Sequence, residues 1–451
     1  MKKLKFIFIY DINRTETTAT KMAHNPDNPA RDNSGSEYEE EPGVCVPMDP
    51  KDVLSLFRYD LTEYENDEIL EYPHVYYIGQ EGKVQAVKGA PKNNGFDDST
   101  GRYAYRQGDH IAYRYQLTEP IGKGAFGDCY MAFDHKEGQW VAMKIIRNEP
   151  RFHQQGKSEV AILELLREHD ADDKLSVVRM FDTFMFRSHL VITFELLGEN
   201  LYTVLRKGGF KGFGPNATRA VGMDILRCLM FLEAQGIVHA DLKPENIILR
   251  CDALPVENSG SNTPLPSVAK VIDFGSSCFR HGDIHTYIQS RYYRSPEIVL
   301  GMGYGPPADM WSFGCILFEI GCGYPLFPVK CESDLLVQMM ELLGIPPLDV
   351  QVRSHRRGDF FNSSSGKPLT TTDSKGRIRP PGTRELADCL QDKGGAFTDI
   401  VSRCLTWNPN ERITPGDAMK HPWITGKEFV PPVQDSLFLD VPMLPVRSYT
   451  A

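Results

Sequence analysis

The chain alternates between stretches that can bury a face and stretches that cannot. Residues 12–45 carry Asn, Asp, Glu, Thr, Pro and Ser with few large apolar side chains. Such a segment buries too little surface to offset its ordering entropy, so residues 1–49 are expected to be a disordered extension. From Pro50 the character changes. Val53, Leu56, Phe57, Leu61, Tyr64, Ile69 and Leu70 recur at helical spacings behind a Pro50-Lys51-Asp52 start. Val75-Tyr76-Tyr77-Ile78 reads as a strand, and residues 92–98 carry a turn signal. Residues 50–114 therefore form an ordered accessory segment. It is too small for a rich core of its own and is expected to pack on the larger domain C-terminal to it. That domain opens with three β-prone runs: one leading from Tyr115 to Ile121, one over 129–133 and one over 140–146. After them stand an amphipathic helix over 157–166, a strand over 191–197 broken by Gly198-Glu199-Asn200, and a helix over 218–235. The polar stretch 252–267 reads as a mobile surface insertion.

At 451 residues the chain has room for two or three domains with sizeable cores. A net charge of −10 argues against a global nucleic-acid surface. The ten cysteines form no CxxC pair, so a zinc site is not expected and reduced thiols in the cytoplasm are, with the nucleus left open. The basic-apolar start, Met1 to Tyr10, is too short for a signal-peptide core, and no stretch approaches the ~20 apolar residues that span a bilayer. Neither a membrane nor a nucleic-acid partner is expected.

The chemistry concentrates in Ile237-Val238-His239-Ala240-Asp241-Leu242-Lys243-Pro244-Glu245-Asn246-Ile247-Ile248. Apolar flanks around this polar centre suit a short loop that aims three side chains at one place. Asp241 is suited to take a proton from a hydroxyl, Lys243 to steady a transferring phosphoryl group, and Asn246 to hold a metal ion. These are the parts of a protein-kinase catalytic loop, with Ala240 where most kinases have Arg. Upstream stands Ile121-Gly122-Lys123-Gly124-Ala125-Phe126-Gly127-Asp128-Cys129. A lone G-x-G-x-x-G also serves dinucleotide binding, but here no helix opens at Gly127 and another strand succeeds it. In a β-hairpin, glycines let backbone amides approach phosphates. Lys144 interrupts an apolar strand, either as an edge residue facing solvent or as a phosphate ligand. A buried Lys requires a carboxylate, and Glu159 and Glu164 on the next helix both lie near enough. Val271-Ile272-Asp273-Phe274-Gly275 puts Asp273 at a strand end, suited to a divalent cation. Ser295-Pro296-Glu297 and the distant Arg412 are suited to a salt bridge.

Together these motifs resemble a eukaryotic protein kinase, and more narrowly the dual-specificity tyrosine-regulated (DYRK) family of the CMGC group. Asp273-Phe274-Gly275-Ser276-Ser277-Cys278, residues 286–297 and Phe194-Glu195-Leu196-Leu197 carry that likeness, as does Asp309-Met310-Trp311. Residues 51–69 and 93–115 are similar to the accessory segment and DYRK-homology box of its class II branch. The resemblance implies an α+β, bilobal fold. The N-lobe would run from about Tyr115 to Leu196, within a kinase domain over 115–424, with a tail over 425–451. It also implies an ATP site made by Ile121, Gly122, Lys123, Gly124, Ala125, Phe126, Gly127, Cys129, Ala142 and Lys144. The Glu195 carbonyl and the Leu197 amide and carbonyl would hold the adenine, with Phe194 behind it. Lys144 would be fixed by Glu159, whose spacing fits the family, and Mg²⁺ held by Asn246 and Asp273. The resemblance implies phosphorylation of Ser and Thr before proline, often with an arginine upstream, and autophosphorylation of Tyr287. A phosphotyrosine carries roughly −1.5 to −2 charges, for which Arg291 and Arg294 are placed.

Two positions depart from the family. His285 replaces the first tyrosine of Tyr-x-Tyr, and Cys129 replaces a valine, where it should cover the adenine and offer a thiol to electrophiles. Residues 329–395 correspond to an insert whose Arg353-Ser354-His355-Arg356-Arg357 cluster is either a docking site or a solvated loop. The rivals are a catalytically inactive scaffold, which would lack Lys144, Asp241, Asn246 or Asp273, and a small-molecule kinase. None of those residues is lost. The Ser295-Pro296-Glu297 segment and long C-lobe suit a protein substrate.

Overall fold

A computed structural model describes residues 47–80, 82–250, 267–279, 288–390 and 394–428. Its first part is a six-stranded antiparallel sheet in the order β1-β2-β3-β4-β6-β5. The strands are β1 (His110–Ile111), β2 (Tyr115–Lys123), β3 (Gly127–Asp134), β4 (Gln139–Ile146), β5 (Met180–Phe186) and β6 (His189–Glu195). Alternating burial along β3 puts Tyr130, Ala132 and Asp134 inside. One long helix crosses the sheet, and the remainder of the chain is mainly helical. This is the bilobal kinase fold the resemblance implied.

The accessory segment differs from its pattern in two places. The helical spacing of 53–70 is broken into α1 (Pro50–Phe57) and α2 (Glu63–Glu68). Thr62 restarts the helix with a capping box: its side chain accepts from Glu65 N–H, and Glu65 Oε2 accepts from Thr62 N–H. Residues 75–78 are not a strand. Only Val75 pairs, with Met48, while the N–H groups of Tyr76 and Tyr77 both donate to the Tyr113 carbonyl. Side chains decide the matter: Val75 fills the accessory core with Val53, Leu61 and Ile69, and Tyr77 stacks on His135 at 4.5 Å. Residues 47–49, expected within the disordered extension, belong to the fold, since Met48 makes that pairing and Asp49 caps α1. The rest of the extension, nearly all of the 252–267 insertion and the tail beyond 428 lie outside the described residues.

The segment packs on the sheet as expected, and charge does much of the joining. Arg187, in the β5–β6 turn, lies over the rings of Phe96 (4.1 Å) and Phe186 (4.6 Å). Its guanidinium donates to Glu68 at 2.8 Å and Glu65 at 3.3 Å, and its side chain is only 2% exposed. Glu65 also takes Lys83 and His110.

Beyond the sheet, α3 (Pro150–His169) packs across its face. The helical lobe is built on α5 (Pro215–Ala234) and α7 (Pro307–Cys322), with α4 (Leu201–Lys207), the short α6 (Pro296–Val299) and α8 (Glu332–Leu343) around them. α7 is buried on nearly every side, as a helix apolar all round must be. Arg412 joins Glu297 through two bonds of 2.8 and 2.9 Å, the pairing that the sequence suggested. The Arg353–Arg357 cluster is tied into the fold. Ser354 Oγ donates to the Leu300 carbonyl, and Arg356 reaches the Val299 carbonyl and Glu332. No helix among the described residues is long and apolar enough to cross a membrane.

Removing Arg187 takes the guanidinium from Glu68, which keeps the Tyr113 hydroxyl, while Glu65 keeps Lys83 and His110. Arg187→Ala is expected to cost about 3–5 kcal/mol, read as a lowered midpoint in chemical denaturation.

Candidate active site

The turn from β2 to β3 is closed by Gly124 N–H donating to the Gly127 carbonyl at 2.9 Å. A Cβ on Gly127 would lie 2.3 Å from the Ile145 carbonyl oxygen, so the fold itself requires that glycine. Gly122 is different. A Cβ there would meet only Cys129 Cβ at an ordinary 3.6 Å, and Ile121, Gly122, Lys123, Gly124 and Ala125 are all exposed. Nothing inside the protein asks for glycine at 122, and the open backbone suits an approaching ligand. Phe126 turns inward, edge-on to Phe152 at 6.0 Å.

Strand register assembles one face behind this turn. Gly122 opposes Cys129, Cys129 opposes Lys144, and Ala142 opposes Phe194. Residues directly opposite share a face, as do residues two apart, so these side chains line one surface. At its end the chain leaves β6 through Leu196 and Leu197. Among the described residues the Leu197 N–H and carbonyl make no hydrogen bond, though the residue is half-buried. An unpaired donor and acceptor side by side there suit a planar heterocycle. The Glu195 side chain faces elsewhere, accepting from Arg179 N–H and the fully buried Lys270.

Lys144 Nζ donates to both Glu159 oxygens, at 2.7 and 2.9 Å, and to Asp273 Oδ1 at 2.9 Å. Glu159 is buried on α3, whereas Glu164 is exposed, which settles the choice between them. Burial alone would lower the Lys144 pKa, but the Asp273 and Glu159 carboxylates outweigh it and push it up. Lys144 in turn holds Asp273 below the usual carboxylate range. All three ammonium protons are used, so a phosphate oxygen reaching Lys144 must displace one acceptor. Asp273 is the one free to leave, since among the described residues only its Oδ1 is bonded, and the side chain is a third exposed (33%).

The loop after β7 (Ile237–Val238) carries the three polar residues singled out. Asp241 Oδ2 accepts from Lys243 Nζ at 2.6 Å, and Asn246 Nδ2 donates to the Asp241 carbonyl at 2.9 Å. Asn246 sits in a short 3-10 turn leading into β8 (Ile247–Leu249), which pairs with β9 (Ala269–Val271). That pairing brings Asp273 beside the loop. Among the described residues, Asn246 Oδ1 and Asp273 Oδ2 accept no hydrogen bond. An amide oxygen and a carboxylate oxygen are the hard donors a divalent cation takes.

Three residues that sequence reasoning passed over hold this loop. Asp309, at the start of α7, is fully buried, and its two oxygens accept from His239 N–H (2.7 Å) and Ala240 N–H (3.1 Å). Burial pushes its pKa up to about 6 against the pull of His239 and those N–H groups. Ala240 is forced to φ +65°, a left-handed backbone that costs roughly 1–2 kcal/mol for a residue with a Cβ. His239 Nδ1 accepts from Asp241 N–H, which leaves Nε2–H to donate to the Ile272 carbonyl. Ser290 Oγ donates to Asp241 Oδ1 at 2.8 Å, beside Ser290 N–H at 3.1 Å. Asp309 is legible in the sequence as part of the Asp309-Met310-Trp311 signature, but with no role attached to it, and a lone serine gives no signal.

Other expectations fare unevenly. Arg294 is buried, donating to the carbonyls of Ile288 and Gln289 and to Glu332, and Arg291 donates to the Lys330 carbonyl. Tyr287 and His285 lie outside the described residues. Burial pushes the Cys129 thiol up to about 12, so it is not the ready nucleophile its position suggested. Alkylation of Cys129 at pH 8 is expected to run about thirtyfold slower than that of an unstructured cysteine and to speed up as pH rises. Peptide mass spectrometry after timed iodoacetamide treatment checks this.

The family model described as the protein kinase domain matches residues 115–424. Among curated proteins, the chain is 42% identical over 402 residues to the mouse dual specificity tyrosine-phosphorylation-regulated kinase 3, covering 85% of this chain and 66% of that protein. It is 44% identical over 382 residues to the human kinase 4 of that name, covering 84% and 71%. It is 43% identical over 390 residues to the DYRK-family kinase pom1 of Schizosaccharomyces pombe, covering 86% and 35%. The chain thus spans about two thirds of the mouse relative's length (66%). With the fold, the Lys144–Glu159 pair and the Asp241 loop in place, this likeness shows that the chain belongs to the DYRK family of protein kinases.

Proposed function

We propose that this chain transfers the γ-phosphoryl group of ATP to Ser and Thr hydroxyls of proteins, proline-directed and arginine-assisted, and autophosphorylates Tyr287. The observation that carries the reading is the joint assembly of the Lys144–Glu159–Asp273 cluster and the Asp241–Lys243–Ser290 cluster.

Roles follow from position. The exposed glycine turn and Lys144 bind the phosphates, and the Leu197 backbone pairs with the adenine. Cys129, Ala142 and Phe194 enclose the ring. Ser290 N–H and Oγ–H fix one oxygen of Asp241 and leave the carboxylate oriented for a substrate hydroxyl. As that oxygen attacks the γ-phosphorus, its proton passes to Asp241 and ADP departs. Lys243 faces the charge that gathers on the transferring group. Asn246 and Asp273 would hold Mg²⁺, which when bound neutralises phosphate charge. Asp309, by pinning two N–H groups beneath the loop, keeps Asp241 aimed. The relatives' name, dual specificity tyrosine-phosphorylation-regulated, supports Tyr287 as the maturation site, with Arg291 and Arg294 close by in sequence. The free cysteines among the described residues suit the cytoplasm, or the nucleus.

The test is mass spectrometry of the protein made in bacteria, wild type beside Asp273→Asn. Phosphate on Tyr287 in the wild type alone is expected. Phosphate on serines and threonines only would overturn the tyrosine step, and none on any residue of folded, ATP-binding protein would overturn the kinase reading. Ser290→Ala, losing a bond to a charged group, is expected to lower kcat toward a proline-directed peptide by about tenfold or more with the ATP KM within twofold.

A further inference from the structure

The glycine-rich turn is held from outside by a loop that belongs to neither lobe. Asp98 folds residues 98–102 of the accessory segment into a tight turn. Its carboxylate accepts from Thr100 N–H (2.6 Å), Thr100 Oγ (2.8 Å) and Arg102 N–H (3.0 Å), and its own N–H donates to the Arg102 carbonyl. Gly101 supplies the positive φ of 72° that this turn needs. The turn then makes two grips. Arg102 Nη2 donates to the Gly124 carbonyl at 2.8 Å while Nη1 pairs with the Asp128 carboxylate, and both side chains are 15% exposed. The Thr100 carbonyl takes Nε and Nη2 of Arg147 (3.0 and 2.6 Å), and Gly101 accepts from Asn148 N–H. Held in this way, Arg147 donates from Nη1 to the Ala125 carbonyl at 3.3 Å and from its backbone N–H to the Phe126 carbonyl at 2.9 Å.

Three consecutive carbonyls of the turn, Gly124, Ala125 and Phe126, are thus fixed by two arginines, one in the accessory loop and one steadied by it. In a trans peptide the N–H points opposite to its C=O. Fixing the Gly124 carbonyl on Arg102 therefore fixes the Ala125 N–H pointing away from it, and the Ala125 carbonyl does the same for the Phe126 N–H. Among the described residues neither of these N–H groups has an acceptor. A run of unpaired amides with fixed direction is an anion cradle.

Resting on the kinase reading above, we propose that Arg102 is a positioning residue for nucleotide phosphates. It orients the amide donors of the glycine-rich turn and so couples the accessory segment to the strength of triphosphate binding. The contact acts on the phosphate end alone and leaves the adenine end, at Leu197, untouched.

The experiment is calorimetric titration of the full chain with two ligands, Mg²⁺ with a non-hydrolysable ATP analogue, and adenosine. Wild type, Arg102→Ala and Arg102→Lys are compared. Arg102→Ala is expected to weaken the triphosphate about five- to tenfold and adenosine less than twofold, with Arg102→Lys recovering part of the loss. If Arg102→Ala does not fold, Arg102→Met, which keeps the apolar stem, is read in its place. Equal losses for both ligands would make Arg102 merely structural and overturn the inference, as would no loss for either. Because the readout needs no turnover, the two readings fail separately. A wild type that binds both ligands without transferring phosphate sinks the kinase reading alone, and one that binds neither sinks both.

Discussion

A buried ammonium must find carboxylates without leaving its strand, and Lys144 finds them in two distant parts of the chain. One comes from α3 and one from the end of the segment after β9, so the cation is satisfied only when sheet, helix and loop are all docked. Glu159 is the fixed partner and Asp273 the exchangeable one, and losing both would leave an unpaired charge at that depth at a cost of several kcal/mol. Every other feature of the site is arranged around this demand. Phe274 packs beneath α3 and against the His239 ring at 5.0 Å, and His239 in turn orders the loop that carries Asp241. A change in the position of α3 would therefore be felt at Asp241 through packing and hydrogen bonds, without any contact between the two residues.

The second constraint runs from the lobe below. Asp309 stands at the N-terminal end of α7, the most deeply buried helix, and holds two backbone N–H groups of the loop that carries Asp241. The strained backbone at Ala240 persists because both neighbouring amides are tied down. Strain that relaxes when a tie is cut is a way to hold a loop at one geometry, and here that geometry aims a carboxylate.

Much of this was written openly along the chain. The order of elements was legible because strands and helices bury different spacings, and the motifs around Gly122, Lys144, Asp241 and Asp273 were legible because charged residues inside apolar runs demand a reason. The structure could add what spacing does not encode. Glu159 and Glu164 differ in which side of α3 faces the sheet. The break between α1 and α2 was signalled by Thr62 and Glu65 but hidden by a hydrophobic rhythm that continued across it. Residues 75–78 look like a strand because they are β-branched and aromatic, yet among the described residues no strand runs beside them and their side chains do the anchoring. Ser290 and Arg102 act across separations of 49 and 22 residues respectively, which no local pattern reports.

The short strand β1 has a bearing on how the protein must be divided, if it is divided. The family match starts at residue 115, but β1, at His110–Ile111, pairs with β2 and covers what would otherwise be the rim of the sheet. A chain begun at 115 would leave the start of β2 as an open edge, where the Leu117 N–H and carbonyl now meet Asp109 and Gly108. It would also leave Arg187 and His189 facing water where Glu68 and Asp97 now meet them. Open edges recruit other chains, so the trimmed domain would be prone to self-association rather than merely less stable. The catalytic region and its N-terminal neighbour are, in solubility terms, one object.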